Sequence, residues 1–223
     1  MNSDYSKKAN RYSPSLLECS TTTQEQLEGV SVSRDQFCSA MELDDRKVEW
    51  IDGQMLVQAP ARHWHLSATK YLLTLLTCWV DKHQLGIVQS EKALCIFQSN
   101  QYEPDIAFWG PEKSATIDSR TLRFPVPDFI VEVLSETTEG RDRGIKFEDF
   151  AIHQVQEYWI VDPELQTIEQ YVLEADGKYI QLNQATDEIV RSRIIRGFQM
   201  AVQAMFDPNI HRQTLIEFLT TFD

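Results

Sequence analysis

Apolar residues recur at three- and four-residue spacings between about Ala61 and His83, where Leu66, Leu72, Leu73, Leu76, Trp79 and Val80 share one side. The spacing predicts a long helix with one broad buried face, the main helix of the fold. Ahead of it, Ser33-Arg34-Asp35-Gln36 has the form of a capping box, in which the Ser hydroxyl and the Gln amide satisfy free backbone donors. It opens a short helix through about Leu43. The segment KVEWIDGQMLVQ predicts a hairpin that turns at Asp52-Gly53.

After the long helix come strand-like runs: GIVQSEKALCIF, DIAFW, DFIVEVL, EYWIVD, and a hairpin EQYVLEADGKYIQL that turns at Asp176-Gly177. A helix over approximately Arg141 to His153 separates the third run from the fourth. Past Ile189 the pattern weakens, up to a terminal helix over RQTLIEFLT. A helix that crosses over between strands predicts an α/β (α+β) fold with a central mixed β-sheet flanked by helices. Residues 1 to 30 are rich in Ser, Thr, Gln and Asn and too poor in large apolar groups to offset their ordering entropy. They are expected to form a disordered leader, and residues 31 to 223 a single domain.

With 223 residues and 42% hydrophobic content, the chain can build one sizeable core. No stretch approaches the roughly 18 consecutive apolar residues that span a bilayer, and no apolar segment follows the polar start MNSDYSKKAN. A cytoplasmic protein without a membrane partner is expected. Cys19, Cys38, Cys78 and Cys95 stand far apart with no CxxC pair, which argues for reduced thiols rather than a disulfide framework or a zinc site. The net charge of −13 weighs against tight non-specific binding of nucleic acid, which needs Lys and Arg to neutralise phosphates. There is no internal repeat, Gly-rich phosphate loop or GxSxG elbow. Chemistry must therefore come from acids and bases.

Strand alternation in DFIVEVL puts Asp128, Ile130, Glu132 and Leu134 on one face and Phe129, Val131 and Val133 on the other. Glu132 then sits in mid-strand among apolar neighbours, where a carboxylate is costly unless it is paired, hydrogen-bonded or bound to a cation. Asp105 follows Glu103-Pro104 at the start of the apolar run IAFW. If the two strands are neighbours, Asp105 and Glu132 converge in an oxygen-rich pocket suited to Mg²⁺ or Mn²⁺. Asp128 shares the face of Glu132, but four residues of strand put it roughly 13 Å away, so its role is structural.

On the following helix, Asp142 and Lys146 are four apart, and Lys146 can reach back over the sheet end to orient or deprotonate a water, or to neutralise a phosphate. Each residue alone has a structural explanation: a buried ion pair for Glu132, a turn acid for Asp105, a helix N-cap or i,i+4 pair for Asp142. Taken together they favour a site. His63 and His65, two apart, diverge on a helix, and His65 is read as a surface or capping residue before a neighbour of the acidic pocket. Tyr158 and Trp159 are read as sheet core and cover.

The segments VEWIDGQM, EPDIAFW, PDFIVEVLS, DRGIKFEDF and EYWIVDP, together with the His-bearing helix, resemble in type and order the Uma-type restriction-endonuclease-like family, numerous in cyanobacteria. The likeness covers about residues 33 to 206. It implies the PD-(D/E)xK nuclease fold, with Asp105 and Glu132 as the metal-binding acids and a lysine completing the triad. The signature lysine position, two residues after Glu132, holds Leu134, and Lys146 resembles the displaced lysine of this family. The function implied is a Mg²⁺- or Mn²⁺-dependent endonuclease acting on nucleic acid, DNA before RNA. The alternative is a catalytically weak or inactive nuclease-fold module that binds nucleic acid or a partner protein. A homodimer about a two-fold axis is a third expectation.

Overall fold

A computed structural model describes residues 30–41, 47–185 and 189–221. The chain opens with β1 (Val30–Ser31), α1 (Arg34–Met41), β2 (Val48–Ile51), β3 (Gln54–Val57) and the long α2 (His63–His83). Then follow β4 (Ile87–Ser90), β5 (Leu94–Ile96), β6 (Gln101–Tyr102), β7 (Ile106–Trp109), α3 (Pro111–Ser114), β8 (Arg123–Phe124) and β9 (Phe129–Val133). After α4 (Glu139–Asp142) and α5 (Ile145–Ile152) come β10 (Glu157–Asp162), β11 (Thr167–Leu173) and β12 (Tyr179–Ala185). The hairpin β13 (Ile189–Arg191) and β14 (Gln199–Ala201), a 3-10 turn at Val202–Met205, and α6 (Pro208–Thr220) complete the fold.

Local chemistry sets several of these elements. The capping box forms as a reciprocal pair: Ser33 N–H donates to Gln36 Oε1 at 2.8 Å, and Gln36 N–H donates to Ser33 Oγ at 3.2 Å. The first hairpin turns where Asp52 and Gly53 have φ of 50° and 78°, the two left-handed positions that a tight primed turn requires. The far end of the first expected helix, around Leu43, and the leader over residues 1–29 lie outside the described residues; Val30 belongs to β1.

The two larger sheets each have six strands, in the orders β1-β3-β2-β6-β5-β8 and β12-β11-β10-β9-β7-β4. The second is the central mixed sheet: β9 and β10 pair in parallel through the α4–α5 crossover, and its other neighbours are antiparallel. Its two faces bury different partners. Phe129, Val131, Val133, Trp159 and Val161 pack with Leu72, Leu75, Leu76 and Val80 of α2 and with Phe218 of α6. Ile130, Leu134, Tyr158 and Ile160 pack with Phe150 of α5 and with Cys95, Phe97 and Tyr102 from the first sheet. The helix on one face, and α5 with the first sheet on the other, agree with the alternation read in DFIVEVL.

Four details differ from the sequence reading. GIVQSEKALCIF is not one strand: Glu91 and Lys92, at φ of 31° and 58°, turn the chain from β4 in the second sheet to β5 in the first. The helix expected over Arg141–His153 is broken into α4 and α5 at Arg143-Gly144, where the Gly144 backbone passes close over the Gly140 carbonyl. Leu66, placed on the buried face of α2, is 45% exposed. The segment past Ile189, weak in pattern, supplies the β13–β14 hairpin, which packs Val190 and Met200 into the core.

Candidate active site

The register of β7 against β9 ends at Ile106 opposite Val131, so one step further Asp105 comes opposite Glu132. At that step the Asp105 carboxylate takes the place of a strand: Oδ2 accepts the N–H of Val133 at 2.8 Å, while the parallel ladder continues beyond it from Leu134 N–H to the Val161 carbonyl. Pro104, which has no N–H to donate, leads into this break in the pairing. Asp105 Oδ1 lies 2.6 Å from Lys47 Nζ, and Oδ2 lies 3.2 Å from His65 Nε2. Lys47 enters just before β2, and His65 comes from the first turn of α2.

Behind Asp105, between the two sheets, Lys146 reaches in from α5. Its ammonium lies 2.9 Å from Glu132 Oε1, 3.0 Å from Glu49 Oε1 and 3.1 Å from Asp142 Oδ1. All four side chains are buried. Glu49 is the inward-facing middle residue of β2, and it also accepts the N–H of Glu103 at 3.3 Å. Glu103 in turn accepts the N–H of Val48 at 2.8 Å, which locks the first sheet to the strand entering β7. Tyr158 donates to the carbonyl of Asp142 at 3.1 Å and fixes the end of α4.

The charges are unevenly matched. Burial opposes the charge on Lys146, but Asp142, Glu132 and Glu49 outweigh it and raise its pKa well above the ordinary lysine range. Burial, with Asp142, Asp105 and Glu49, pushes Glu132 well above its ordinary value against the pull of Lys146. Asp142 is raised by burial in the same way. Three carboxylates thus share one ammonium. Asp105 goes the other way: burial alone would raise it, but Lys47 and then His65 hold it well below the usual carboxylate range. Glu49 Oε2 and Asp142 Oδ2 are buried with no hydrogen-bond partner among the described residues.

Of the residues singled out from sequence, Asp105 and Glu132 meet at adjacent strand positions, and Lys146 lies against Glu132. Leu134 packs in the apolar cluster beneath α5, two residues beyond Glu132. Asp128 is kept away from the cluster by its own contacts, accepting the N–H of Gly110 at 2.8 Å and pairing with Lys113 at 2.7 Å. His65 is not a surface residue; it is buried against Asp105. Glu49 and Lys47 were missed. Glu49 carried the same signal as Glu132, a lone acid at an inward position of a short apolar strand.

A family model described as "Uma2: Putative restriction endonuclease" matches residues 34–203. The chain belongs to the Uma2 family. Two uncharacterized proteins of Synechocystis sp. are each 29% identical to it, over 181 and 147 residues. These alignments cover 78% and 65% of this chain and 91% and 82% of the relatives. The crystal structure of "a putative nuclease belonging to DUF820" from Anabaena variabilis superposes with a TM-score of 0.65 at 17% identity, covering 81% of this chain and 97% of that one. At that identity the likeness is one of fold. Among the described residues no helix is long and apolar enough to cross a membrane.

Proposed function

We propose that this Uma2 protein is an endonuclease that hydrolyses phosphodiester bonds of nucleic acid, DNA before RNA, with Mg²⁺ or Mn²⁺ held by Asp105 and Glu132. The observation that carries the reading is the meeting of these two acids at facing positions where the β7–β9 pairing ends, in a chain whose family is described as "Putative restriction endonuclease". Mg²⁺ characteristically takes one or two carboxylates together with waters and substrate phosphate rather than an all-protein cage. The donor set fits that habit, since the buried Glu49 Oε2 beside the pair has no partner and the cluster carries more carboxylate than ammonium. Among the described residues no three His, Cys, Asp or Glu side chains form a ready-made cage, and the ammonium groups of Lys47 and Lys146 lie among the acids. When bound, the cation supplies a more acidic water and charge neutralisation at the phosphate.

The chain's own residues divide the remaining work. Lys146, only 1% exposed, acts on Glu49, Glu132 and Asp142 and fixes where their oxygens lie. Lys47 keeps 17% of its side chain open and can exchange Asp105 for a phosphate oxygen. His65 holds Asp105 Oδ2 from the α2 side. Plasmid nicking with Mg²⁺ or Mn²⁺ is the test: activity should vanish in Asp105→Ala and in Glu132→Ala, and nicking indifferent to both changes would refute the reading.

The second reading is a non-catalytic nuclease-fold module that binds nucleic acid or a protein. It is favoured by one observation, that Asp105 and Glu132 already have ammonium partners. Calorimetry with Mn²⁺ separates the two, since only the enzyme binds metal at this cluster. A cytoplasmic setting and a homodimer belong to the same proposal; the free thiols of Cys38, Cys78 and Cys95 fit the first, and solution mass tests the second.

A further inference from the structure

The chain carries a net charge of −13, yet from Ile189 to Phe206 it contains three arginines, Arg191, Arg193 and Arg196, and no acid. All three are exposed on β13 and the turn that follows it. Among the described residues none has a carboxylate partner; the side-chain contact of Arg191 is from Nε to Gln199 Oε1, at 3.0 Å.

The turn that presents them is tightly built. Glu157, fully buried at the start of β10, accepts from Ser192 Oγ at 2.7 Å, Arg193 N–H at 2.8 Å and Ile194 N–H at 3.0 Å. The same carboxylate accepts from Trp159 Nε1 and Gln170 Nε2, at 2.6 and 2.8 Å. Trp79 Nε1 donates to the Arg196 carbonyl at 3.1 Å, and Gly197, at φ 75°, reverses the chain. The fold thus uses the backbone of this turn and, among the described residues, gives its guanidinium groups no carboxylate partner. Next to them is a cavity of about 350 Å³ whose walls combine Gln170, Arg191, Arg193 and Gln199 with the apolar Leu182 and Ile189, and include no acid.

We propose that this arginine turn docks the phosphate backbone of nucleic acid. Guanidinium groups match phosphate with paired hydrogen bonds, and a pinned backbone lowers the ordering cost of presenting them. The amides of Gln170 and Gln199 add donors for phosphate and sugar. The turn lies on the face of the central sheet opposite the carboxylate cluster, since Glu157 shares the face of Trp159 and Glu132 that of Ile130. It is therefore a contact separate from the acidic site, and it gives an acidic protein a local place to hold a polyanion. The inference rests on the nucleic-acid reading above.

The test is fluorescence anisotropy of a labelled duplex with the full chain in EDTA, so that binding is read without cleavage, from about 50 to 200 mM salt. Changing Arg191, Arg193 and Arg196 together to Ala should weaken binding and flatten the plot of log K against log salt by about 2.7, at ~0.9 per phosphate released. The triple Lys variant, which keeps the charge, should retain the slope. An Ala triple that melts with the wild type and binds with the same slope would overturn the proposal. So would a wild type that does not bind duplex, or arginine-dependent capture of phosphatidylglycerol vesicles without arginine-dependent duplex binding. Failure of the nuclease reading looks different: nicking by Asp105→Ala and Glu132→Ala persists while the arginine-dependent slope stands.

Discussion

Lys47 Nζ lies 2.6 Å from Asp105 Oδ1 with 17% of its side chain open, whereas Lys146, on the inner side of the same cluster, is 1% exposed. The inner ammonium is locked among three carboxylates, and the outer one competes with any cation that would use Asp105. Lys47→Ala removes that competitor. Mn²⁺ affinity measured by calorimetry should rise roughly three- to tenfold, the equivalent of about 1 kcal/mol of like-charge repulsion at a partly wet site. Nicking should fall in the same variant, because the exposed cation is the one able to meet phosphate. Unchanged metal affinity would mean that Lys47 leaves Asp105 freely and offers no competition.

Lys146→Met should act mainly on stability. It leaves Glu49, Glu132 and Asp142 buried with no cation between them, and breaking a buried ion pair from one side costs about 3–5 kcal/mol. Urea unfolding should show a loss of that order, and Glu132→Gln added to Lys146→Met should recover part of it. Equal losses in the single and double variants would show that packing of the lysine stem, not its charge, is what matters.

Stability of the metal-free protein should depend on pH through two opposed groups. Glu132 has an ordinary value of 4.5 that burial and its acidic neighbours raise in the folded state. Its contribution is therefore fully present below pH 4.5 and lost as pH rises through the folded value. Asp105 has an ordinary value of 3.8 that is lowered on folding, so its contribution is present above 3.8 and lost as pH falls. The urea midpoint in EDTA should decline as pH rises above 4.5, and Glu132→Gln should flatten that decline. Parallel profiles for wild type and Glu132→Gln would rule Glu132 out as the titrating group.

Much of this arrangement was legible in the sequence, for identifiable reasons. The alternation of DFIVEVL separates Phe129, Val131 and Val133 from Ile130, Glu132 and Leu134, and the two sets enter two different cores. Asp52-Gly53 and the Ser33–Gln36 box are local chemistry and form as read. What escaped depends on contacts between distant segments. Glu49 shows the signal of a lone inward acid, but its partners come only when β2 is laid against the strand leading to β7, and Lys47 looks ordinary until it is seen beside Asp105. His65 lacks the i,i+4 spacing of a helical metal pair, and its proximity to Asp105 follows from where α2 starts against the sheet. The division into two large sheets hinges on left-handed Glu91 and Lys92, residue types with no strong preference for that conformation.

Two glycines with positive φ should respond very differently to Ala. At Gly53, φ is 78° and an added Cβ would meet no atom within 4 Å, so the cost is the left-handed backbone alone, about 1–2 kcal/mol. At Gly86, φ is 143° and an added Cβ would lie 2.0 Å from the Trp109 carbonyl oxygen. That carbonyl is backbone and cannot swing away as a side-chain tip could. Relief would have to come from separating Ile87 from Trp109, the first pair of the β4–β7 ladder. The same ladder ends at Ser90 opposite Ile106, next to Asp105, and Glu91 N–H donates to the Asp105 carbonyl at 3.4 Å. Gly86→Ala should therefore cost about 3 kcal/mol or more in urea unfolding. Because β4 flanks the strand that leads out of the acidic site, any folded fraction should also bind Mn²⁺ more weakly than Gly53→Ala does. Similar losses from the two substitutions would mean that β4 yields at its end without disturbing β7, and that Asp105 is positioned by Lys47, His65 and Val133 alone.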